Sequence, residues 1–236
     1  MATRALSSNS KGEEHWLGIS DIMSCLMMIF LFIAISYISV VHRQMNNVTS
    51  IAIAYRVLQD DLYLELEREF KDDLIKWDAA VERETLSVRF NEPEVLFETG
   101  RSVVTSRFRN ILKEFFPRYL NIIYAEKYRD YIEEIRIEGH TSSEWDRISG
   151  EDYAYFNNMH LSQERTRSVL EYCMSMIQDK KQRAWARSFI MANGLSSSKP
   201  VLNSDGSENR ERSRRVEFRT KTAAEKKIFE IINQAE

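Results

Sequence analysis

The chain has 236 residues and a formal net charge of −3. This length allows a membrane anchor and one domain with its own core but excludes two large domains, and the small net charge gives no electrostatic support for nucleic-acid binding. The two cysteines, Cys25 and Cys173, lie too far apart to suggest a disulfide framework, and the four histidines share no metal-ligand spacing, which argues against a zinc site.

The first predicted element is a transmembrane helix over residues 16–41, preceded by a short tail, residues 1–15. Its only formally charged side chain is Asp21, and the twenty residues from Ile22 to Val41 carry no charge. At about 1.5 Å per residue, such a helix crosses a hydrocarbon core of about 30 Å. No small-residue cleavage site follows the helix, which predicts an uncleaved anchor. The simplest arrangement leaves the tail in the cytoplasm and exports the C-terminal part.

The position of Asp21 in an apolar segment needs a physical reason, because a carboxylate at bilayer depth costs about 2.5 to 3.5 kcal/mol. At about 100° per residue, small side chains lie within roughly 60° of the Asp21 direction: Ser24, Cys25, Ser36 and Ser39. Such a stripe favours contact with another helix. Burial there would favour the neutral carboxyl group and let it exchange a proton near neutral pH. Alternatively, Asp21 lies near enough to the helix start to reach the lipid headgroups.

A long helical linker is predicted over residues 42–84. No Gly or Pro occurs between Ile19 and Glu92, and apolar residues recur in steps of three or four. They are Ile51, Tyr55, Leu58, Leu62, Leu66, Phe70, Leu74, Trp77 and Val81. We favour pairing of two copies as a dimeric stem, because a helix that rises from a membrane has few other apolar surfaces to contact. The alternative is packing of each copy on its own domain. The helix is expected to end near Glu84.

Residues 85–222 mix strand-like and helix-like patterns, which predicts an α/β domain, an α+β sandwich with its helices on one face of the sheet. Pro117 is expected to stop the first helix of the domain, and a later helix is expected to begin near Asn158, after a long loop. The predicted strands are residues 86–90, 131–138 and 214–220, and the predicted helices are residues 103–116, 161–177 and 181–191. Residues 223–236 are predicted to form a short C-terminal helix.

This domain contains three motifs in a fixed order. The first is I-R-I-E-G-H-T, residues 135–141, and the second is N-x-x-L-S-x-x-R-x-x-x-V, which runs from Asn158 to Val169. The third is R-x-x-x-R-R-V, residues 210–216. Together they resemble the OmpA-like peptidoglycan-binding family. With one N-terminal transmembrane helix and its acidic residue, the chain is similar to MotB, the peptidoglycan-anchored stator subunit of the flagellar motor. It resembles still more closely the ZorB family, the MotB-like subunits of Zorya anti-phage defence systems, because of its G-H-T-S-S-E-W run and long helical linker.

The resemblance implies a place in a membrane motor. Two copies of the chain would sit inside five MotA-like or ZorA-like partner subunits in the inner membrane, with the N-terminus in the cytoplasm and the C-terminal domain in the periplasm. Asp21, with Ser24 beside it, would conduct a proton or sodium ion and couple ion flow to rotation of the partner ring. No other cofactor is implied. A flagellar-type MotB subunit stays open as an alternative.

The resemblance also implies a wall-binding cleft. In the family, this cleft holds the diaminopimelate end of a peptide stem, and the matching positions here are Thr141, Asn158, Leu161 and Arg165. A guanidinium such as that of Arg165 can pair with a carboxylate through two parallel hydrogen bonds. The family usually has an Asp directly after G-H-T to meet the ligand's ammonium group, but Ser142 stands there in this chain. The following residues offer four possible substitutes: Glu144, Asp146, Glu151 and Asp152.

Simpler interpretations compete for several residues. Gly139 could serve only as a turn residue, and His140 could pack rather than act in chemistry. A solvated strand edge is the favoured interpretation of four arginines, although the first of them could brace the cleft loop: Arg210, Arg212, Arg214 and Arg215. Four aromatic residues either stack on sugars or fold the loop onto the domain: Trp145, Tyr153, Tyr155 and Phe156.

Other functional classes remain as alternatives to a stator. A passive tether would use the same domain to hold the wall without conducting ions. An enzyme is not expected, because the sequence has no recognisable nucleophile with a neighbouring base, carboxylate pair or metal cluster.

Overall fold

The computed structural model of the chain describes residues 9–91, 96–98, 100–145 and 150–223. The chain divides into two units, Met1–Ala52 and Ile53–Glu236. The helices are α1 (Asn9–Leu74), α2 (Ser106–Tyr124), α3 (Glu126–Arg129), α4 (Glu151–Met176), α5 (Lys180–Phe189) and α6 (Arg210–Ser213). The strands are β1 (Ala79–Glu82), β2 (Ser87–Phe90), β3 (Ile132–His140), β4 (Ile190–Gly194) and β5 (Arg215–Thr222).

Helix α1 begins with the apolar segment that the sequence predicts to cross a membrane. Within the described residues, one segment, the 29-residue Gly18–Asn46, is long and apolar enough to do so. Its side chains are almost all exposed in the single chain, as expected for a surface that contacts lipid or other chains. The predicted N-terminal apolar helix is therefore confirmed, although helix α1 already begins at Asn9.

The second part of helix α1 belongs to the globular domain. Leu62, Leu66 and Phe70 are fully buried in the same hydrophobic core as the sheet residues. For these residues the dimeric-stem interpretation was therefore wrong, because each chain supplies its own apolar surface for them. The predicted end near Glu84 was also wrong: the helix stops at Leu74, and β1 follows as an edge strand.

Ion pairs add to the attachment of helix α1. The Arg118 guanidinium donates to Glu69 Oε1 and to Asp73 Oδ2, both at 2.7 Å, and Lys127 pairs with Glu65. Partly exposed pairs contribute only about 0 to 1 kcal/mol each, whereas burial of one leucine or phenylalanine side chain contributes about 1.5 to 3 kcal/mol. Apolar burial is therefore the main force that holds the helix on the domain.

The domain is built on a mixed five-stranded sheet in the order β1-β2-β5-β3-β4. Strands β3 and β4 are parallel, and the other neighbours are antiparallel. Alternate side chains of the strands face the helices, as the two-residue period of a strand requires; among them are Val88, Ile137 and Phe218. The predicted α/β sandwich is confirmed. Strand β4 was missed, because the helix predicted over residues 181–191 included its first two residues, Ile190 and Met191.

Helix α2 supplies the centre of the core. The Thr105 side chain caps it by accepting a hydrogen bond from the backbone nitrogen of Phe108 at 3.1 Å. The Phe115 ring lies 5.1 Å from Phe90 and 5.0 Å from Phe218, within the range of favourable aromatic contacts. The expectation that Pro117 stops this helix was wrong. The helix continues to Tyr124, because the burial of the following apolar residues outweighs the lost backbone hydrogen bond.

Two further expectations concern the ends of elements. The long loop expected before Asn158 is shorter, since helix α4 already begins at Glu151 and includes Tyr153 and Phe156. The predicted C-terminal helix, residues 223–236, lies outside the described residues except for its first position.

Candidate functional site

A cleft of about 370 Å³ lies where strand β3 ends and helix α4 passes over the sheet. We call it the cleft, and its lining residues are Phe97, Gly100, Thr141, Ser142, Glu144, Trp145, Asn158, Leu161, Arg165 and Arg214. The structure thus brings together Thr141, Ser142, Asn158, Leu161 and Arg165, which the resemblance assigned to wall binding. The volume of the cleft lies within the range of small-molecule sites, about 300 to 1,000 Å³.

Two glycines let helix α4 approach the sheet closely. A Cβ atom at Gly139 would lie 2.6 Å from Thr166 Cγ2, and one at Gly194 would lie 2.3 Å from the backbone nitrogen of Gln163. The glycine of G-H-T is therefore a packing residue of strand β3, and its interpretation as a turn residue was wrong. Close contact fixes which face of the helix looks into the cleft, where Asn158, Leu161 and Arg165 follow each other at helical spacing.

The first residues after strand β3, residues 141–145, are held by hydrogen bonds on both sides. The buried Asn158 amide donates to the backbone oxygens of Ser142 and Glu144, at 3.1 and 3.3 Å. On the other side, the backbone nitrogen of Ser143 donates to Glu208 Oε1 at 3.1 Å. A loop tied in this way keeps its side chains in place before any ligand binds, which lowers the entropic cost of binding.

Two guanidinium groups line one part of the cleft. Arg165 Nε donates to the backbone oxygen of Arg101 at 2.9 Å, and its guanidinium lies 4.9 Å from the centre of the Phe97 ring. Burial and the charge of the nearby Arg214 lower the pKa of Arg165 to about 10, so the side chain stays charged at pH 7. Two like charges that line the same cleft favour an anion between them.

Arg214 had been interpreted as part of a solvated strand edge, and this was wrong. It is half-buried and lines the cleft. Its neighbour Arg215 is buried within the sheet and donates to Glu217 Oε1 at 2.6 Å. The sequence pattern gave no signal for this position, because it depends on the pairing of β5 with β3. His140 pairs with Arg215 in antiparallel register, so Arg214 lies beside Thr141.

Polar groups without partners also border the cleft. Among the described residues, the buried Thr141 Oγ1 and Arg214 Nε have no hydrogen-bond partner. Buried polar groups are nearly always satisfied in folded proteins, and an unpaired one costs about 1 to 3 kcal/mol. Both groups are therefore suited to receive a polar ligand.

Among the residues that the structure describes, one carboxylate lines the cleft and can take the place of the family's Asp. Glu144 lines the cleft and accepts a hydrogen bond from Arg210 Nη1 at 3.2 Å, and Ser142 is buried beside it. Of the other candidate substitutes, Glu151 and Asp152 are exposed in the first turn of helix α4 and do not line the cleft, whereas Asp146 lies outside the described residues.

The predicted ion-conducting residues lie in the other unit. Asp21 and Ser24 belong to the apolar segment of helix α1, and both are exposed in the single chain. The Ser24 hydroxyl donates to the backbone oxygen of Ser20 at 2.8 Å. Its oxygen keeps lone pairs with which it can accept a hydrogen bond or contact a cation.

A buried charged cluster, not expected from the sequence, lies on the face of the sheet opposite the core. Ligand atoms of Glu138, His140 and Glu217 come within 4.8 Å of one another. Glu217 Oε1 already accepts from Arg215, at 2.6 Å, and from Arg89, at 3.1 Å. These guanidinium groups neutralise Glu217, and those of Arg136 and Arg219 lie 3.9 Å from Glu138. The carboxylates that a metal ion would need are therefore already compensated within an internal ion network.

The protonation of this cluster follows from burial and charge. Burial alone would raise the pKa of Glu217, but the hydrogen bond and charge of Arg215 outweigh it and leave the pKa below its ordinary value. Burial lowers the pKa of His140, with partial compensation from Glu138. The folded domain therefore favours ionised glutamates and a neutral histidine.

Comparison with known proteins identifies the family. No protein-family model matches the chain. The Zorya protein ZorB of Escherichia coli (Crooks) is 42% identical to it over 231 residues, which cover 98% of this chain and 97% of that protein. The chain belongs to the ZorB family. This membership confirms the resemblance drawn from the G-H-T-S-S-E-W run and the long helix.

Solved structures are similar to the globular domain of this ZorB family member. A MotB-like protein from Desulfovibrio vulgaris has a TM-score of 0.51 and 21% sequence identity, and the match covers 71% of this chain and 96% of that one. The cell wall anchor of the type VI secretion system from Pseudomonas aeruginosa matches with a TM-score of 0.45 and 25% identity, over 67% of this chain and 96% of that one. The first of these shows that the globular domain has a MotB-like fold.

Proposed function

We propose that this chain is the peptidoglycan-anchored subunit of an ion-driven membrane motor of the Zorya type, which acts in defence against phages. It would be a single-pass protein of the inner membrane, with its N-terminus in the cytoplasm and its globular domain in the periplasm. Family membership supports the motor, and the composition of the cleft supports the anchor. The observation that carries the motor rather than a passive tether is the carboxylate of Asp21 within the apolar segment.

The cleft suits the amphoteric end of a stem peptide. The guanidiniums of Arg165 and Arg214 can each form paired hydrogen bonds with a carboxylate, while Glu144 can meet an ammonium group. Arg210 holds Glu144 in place through a hydrogen bond of 3.2 Å. Diaminopimelate carries both carboxylate and ammonium groups at its free end, so it matches both parts of the cleft. Ser142, in the place of the family's Asp, then leaves the recognition of the ammonium group to Glu144.

Wall binding is tested by sedimentation of the full chain, in detergent, with purified peptidoglycan sacculi. The wild type is expected to pellet with the sacculi. Replacement Arg214→Gln removes a charged hydrogen bond worth about 1.5 to 3 kcal/mol, which is a loss of affinity of roughly ten- to hundredfold. The matched control is Arg212→Gln, because Arg212 is exposed and does not line the cleft. A wild type that stays in the supernatant, or equal losses in both variants, would contradict the anchor.

Ion coupling is assigned to Asp21, with Ser24 beside it. An ionisable side chain within a membrane-spanning helix is costly and usually marks an ion path. One charge that crosses a potential of 100 mV releases about 2.3 kcal/mol, which can drive motion of a neighbouring ring. We propose that the ion is a proton, with sodium as the alternative, and that two copies of the chain work inside five MotA-like or ZorA-like subunits.

The motor and the tether differ in their need for a titratable group. In cells that carry the complete defence system, Asp21→Asn keeps the shape of the side chain but removes its titration, so phage plating should rise to the level of undefended cells. Asp21→Glu, which keeps the acid, should retain part of the protection. Full protection by Asp21→Asn would refute the motor and leave the passive tether.

We also propose that the domain is not an enzyme. The cleft contains the hydroxyl groups of Thr141 and Ser142, but a nucleophile needs an adjacent base to remove its proton. Within the described residues, Thr141 Oγ1 has no hydrogen-bond partner at all, which supports a binding role for this cleft rather than a catalytic one.

A further inference from the structure

A second cavity, of about 380 Å³, adjoins the cleft. We call it the side cavity. It shares three lining residues with the cleft, Gly100, Trp145 and Leu161, so one ligand can occupy both cavities at once. The residues that define it further include Val103, Asn157 and His160.

The lining of the side cavity combines an aromatic face with uncharged and charged polar groups. The indole of Trp145 is 38% exposed, and Val103 is 57% exposed. Three polar side chains, Asn157, His160 and Glu164, follow each other at helical spacing along helix α4, so they line the cavity from one side. Asn157 Nδ2 donates to the backbone oxygen of Tyr153 at 2.8 Å, which fixes the amide while its carbonyl oxygen remains an acceptor.

This combination is the one that a pyranose ring needs. A sugar has an apolar C–H face, which packs on an aromatic ring, and hydroxyl or acetamido groups at its edge, which hydrogen-bond to amide, imidazole and carboxylate groups. The side cavity also has one guanidinium, that of Arg101, but it pairs with Glu98 at 3.1 Å. The two guanidiniums of the cleft instead select charged groups. The two adjoining cavities therefore differ in chemistry in the same way as the two components of peptidoglycan, the glycan strand and the stem peptide.

We propose that the side cavity binds an N-acetylated amino-sugar ring of the glycan strand whose stem peptide lies in the cleft. The proposal rests on the wall-binding function above and adds a second component to the ligand. Stem peptides are covalently attached to the glycan, so a ligand that enters the cleft through its peptide brings a sugar with it. Trp145 forms a wall between the two cavities and contacts both parts.

The test compares two ligands on the full chain in detergent, by titration calorimetry. One is the free stem tripeptide that ends in diaminopimelate, and the other is the same tripeptide attached to the GlcNAc-MurNAc disaccharide. The wild type should bind the disaccharide-tripeptide about tenfold more tightly, since one aromatic contact with associated hydrogen bonds contributes on that scale. The preference, the ratio of the two dissociation constants, is the quantity that reports on the side cavity.

Variants then assign the preference to residues. His160→Ala changes a residue that lines the side cavity but not the cleft, so the preference should fall towards one while the dissociation constant of the free tripeptide stays the same. Trp145→Ala should also remove the preference, and Trp145→Phe should keep part of it. The matched control is Tyr153→Ala, on the same helix as His160. The Tyr153 side chain is 59% exposed and lines neither cavity.

The outcomes separate this proposal from the wall-binding function. Equal affinities of the wild type for both ligands would overturn the sugar site and leave the anchor intact. The same holds if His160→Ala weakens both ligands by the same factor. Failure of both ligands to bind would overturn the anchor and the sugar site together.

Discussion

Truncation of Leu66 tests whether the second part of helix α1 belongs to the globular domain. Leu66 is fully buried in the core, whereas Leu64, two positions away on the same helix, is 52% exposed. Leu66→Ala should lower the free energy of unfolding by about 2 to 5 kcal/mol, since it removes a buried side chain and leaves a cavity. Leu64→Ala should change it by less than about 0.5 kcal/mol. For a domain of this size, a loss of about 3 kcal/mol lowers the melting temperature by roughly 6 to 12 °C.

The assay is thermal and urea unfolding of the full chain in detergent, followed by tryptophan fluorescence, because Trp77 lies in the same core. The destabilisation caused by Leu66→Ala should not depend on protein concentration, since Leu66 contacts its own chain. Equal effects of the two truncations would refute the packing described above. A Leu66→Ala effect that grows on dilution would point back to a dimeric stem.

Two further predictions concern the packing and the charges of the domain. Gly194→Ala should lower the free energy of unfolding by about 1 to 3 kcal/mol, since its Cβ would lie 2.3 Å from a backbone nitrogen of helix α4. The control is Gly150→Ala, which has open space around its Cβ. Equal unfolding midpoints of the two variants would contradict the close approach. The domain should lose stability on acidification, first as the unfolded chain protonates His140 below its ordinary pKa of 6.5 and then as pH falls below 4.5 through the lowered pKa values of Glu138 and Glu217. Glu217→Gln should cost about 3 to 5 kcal/mol at pH 7 and flatten the acid limb of a stability curve measured by urea unfolding; an unchanged curve would contradict the ion network.

The periodicity of the sequence predicted most elements but not where they end. The apolar stripe with Leu62 and Leu66 indicated a helix, yet a stripe of this kind has the same pattern whether it contacts a second copy or its own sheet. Pro117 was expected to end its helix, as proline usually does, but the helix continues because the apolar residues after it are buried. Strand β4 was missed because Ile190–Gly194 follows a helix without a Gly or Pro break and is fixed as a strand by its pairing with β3.

The site was predictable to the extent that its residues belong to motifs. Thr141, Asn158 and Arg165 were assigned from a resemblance, and the structure brings them into one cleft. Arg214 was misjudged because its position depends on the antiparallel pairing of β3 with β5, which joins residues far apart in sequence. The side cavity was even less accessible to sequence reasoning. Val103 lies in the loop before helix α2 and His160 in helix α4, and they line one cavity only through packing.

The most direct test of the motor is a structure of the chain in its membrane assembly, in which the surroundings of the Asp21 carboxyl group can be measured. We predict that this group faces a helix of the partner ring, with a polar atom or an ordered water within about 3 Å. An Asp21 side chain that lies among lipid headgroups, with no other chain in contact, would contradict ion coupling and leave only a membrane anchor attached to the wall.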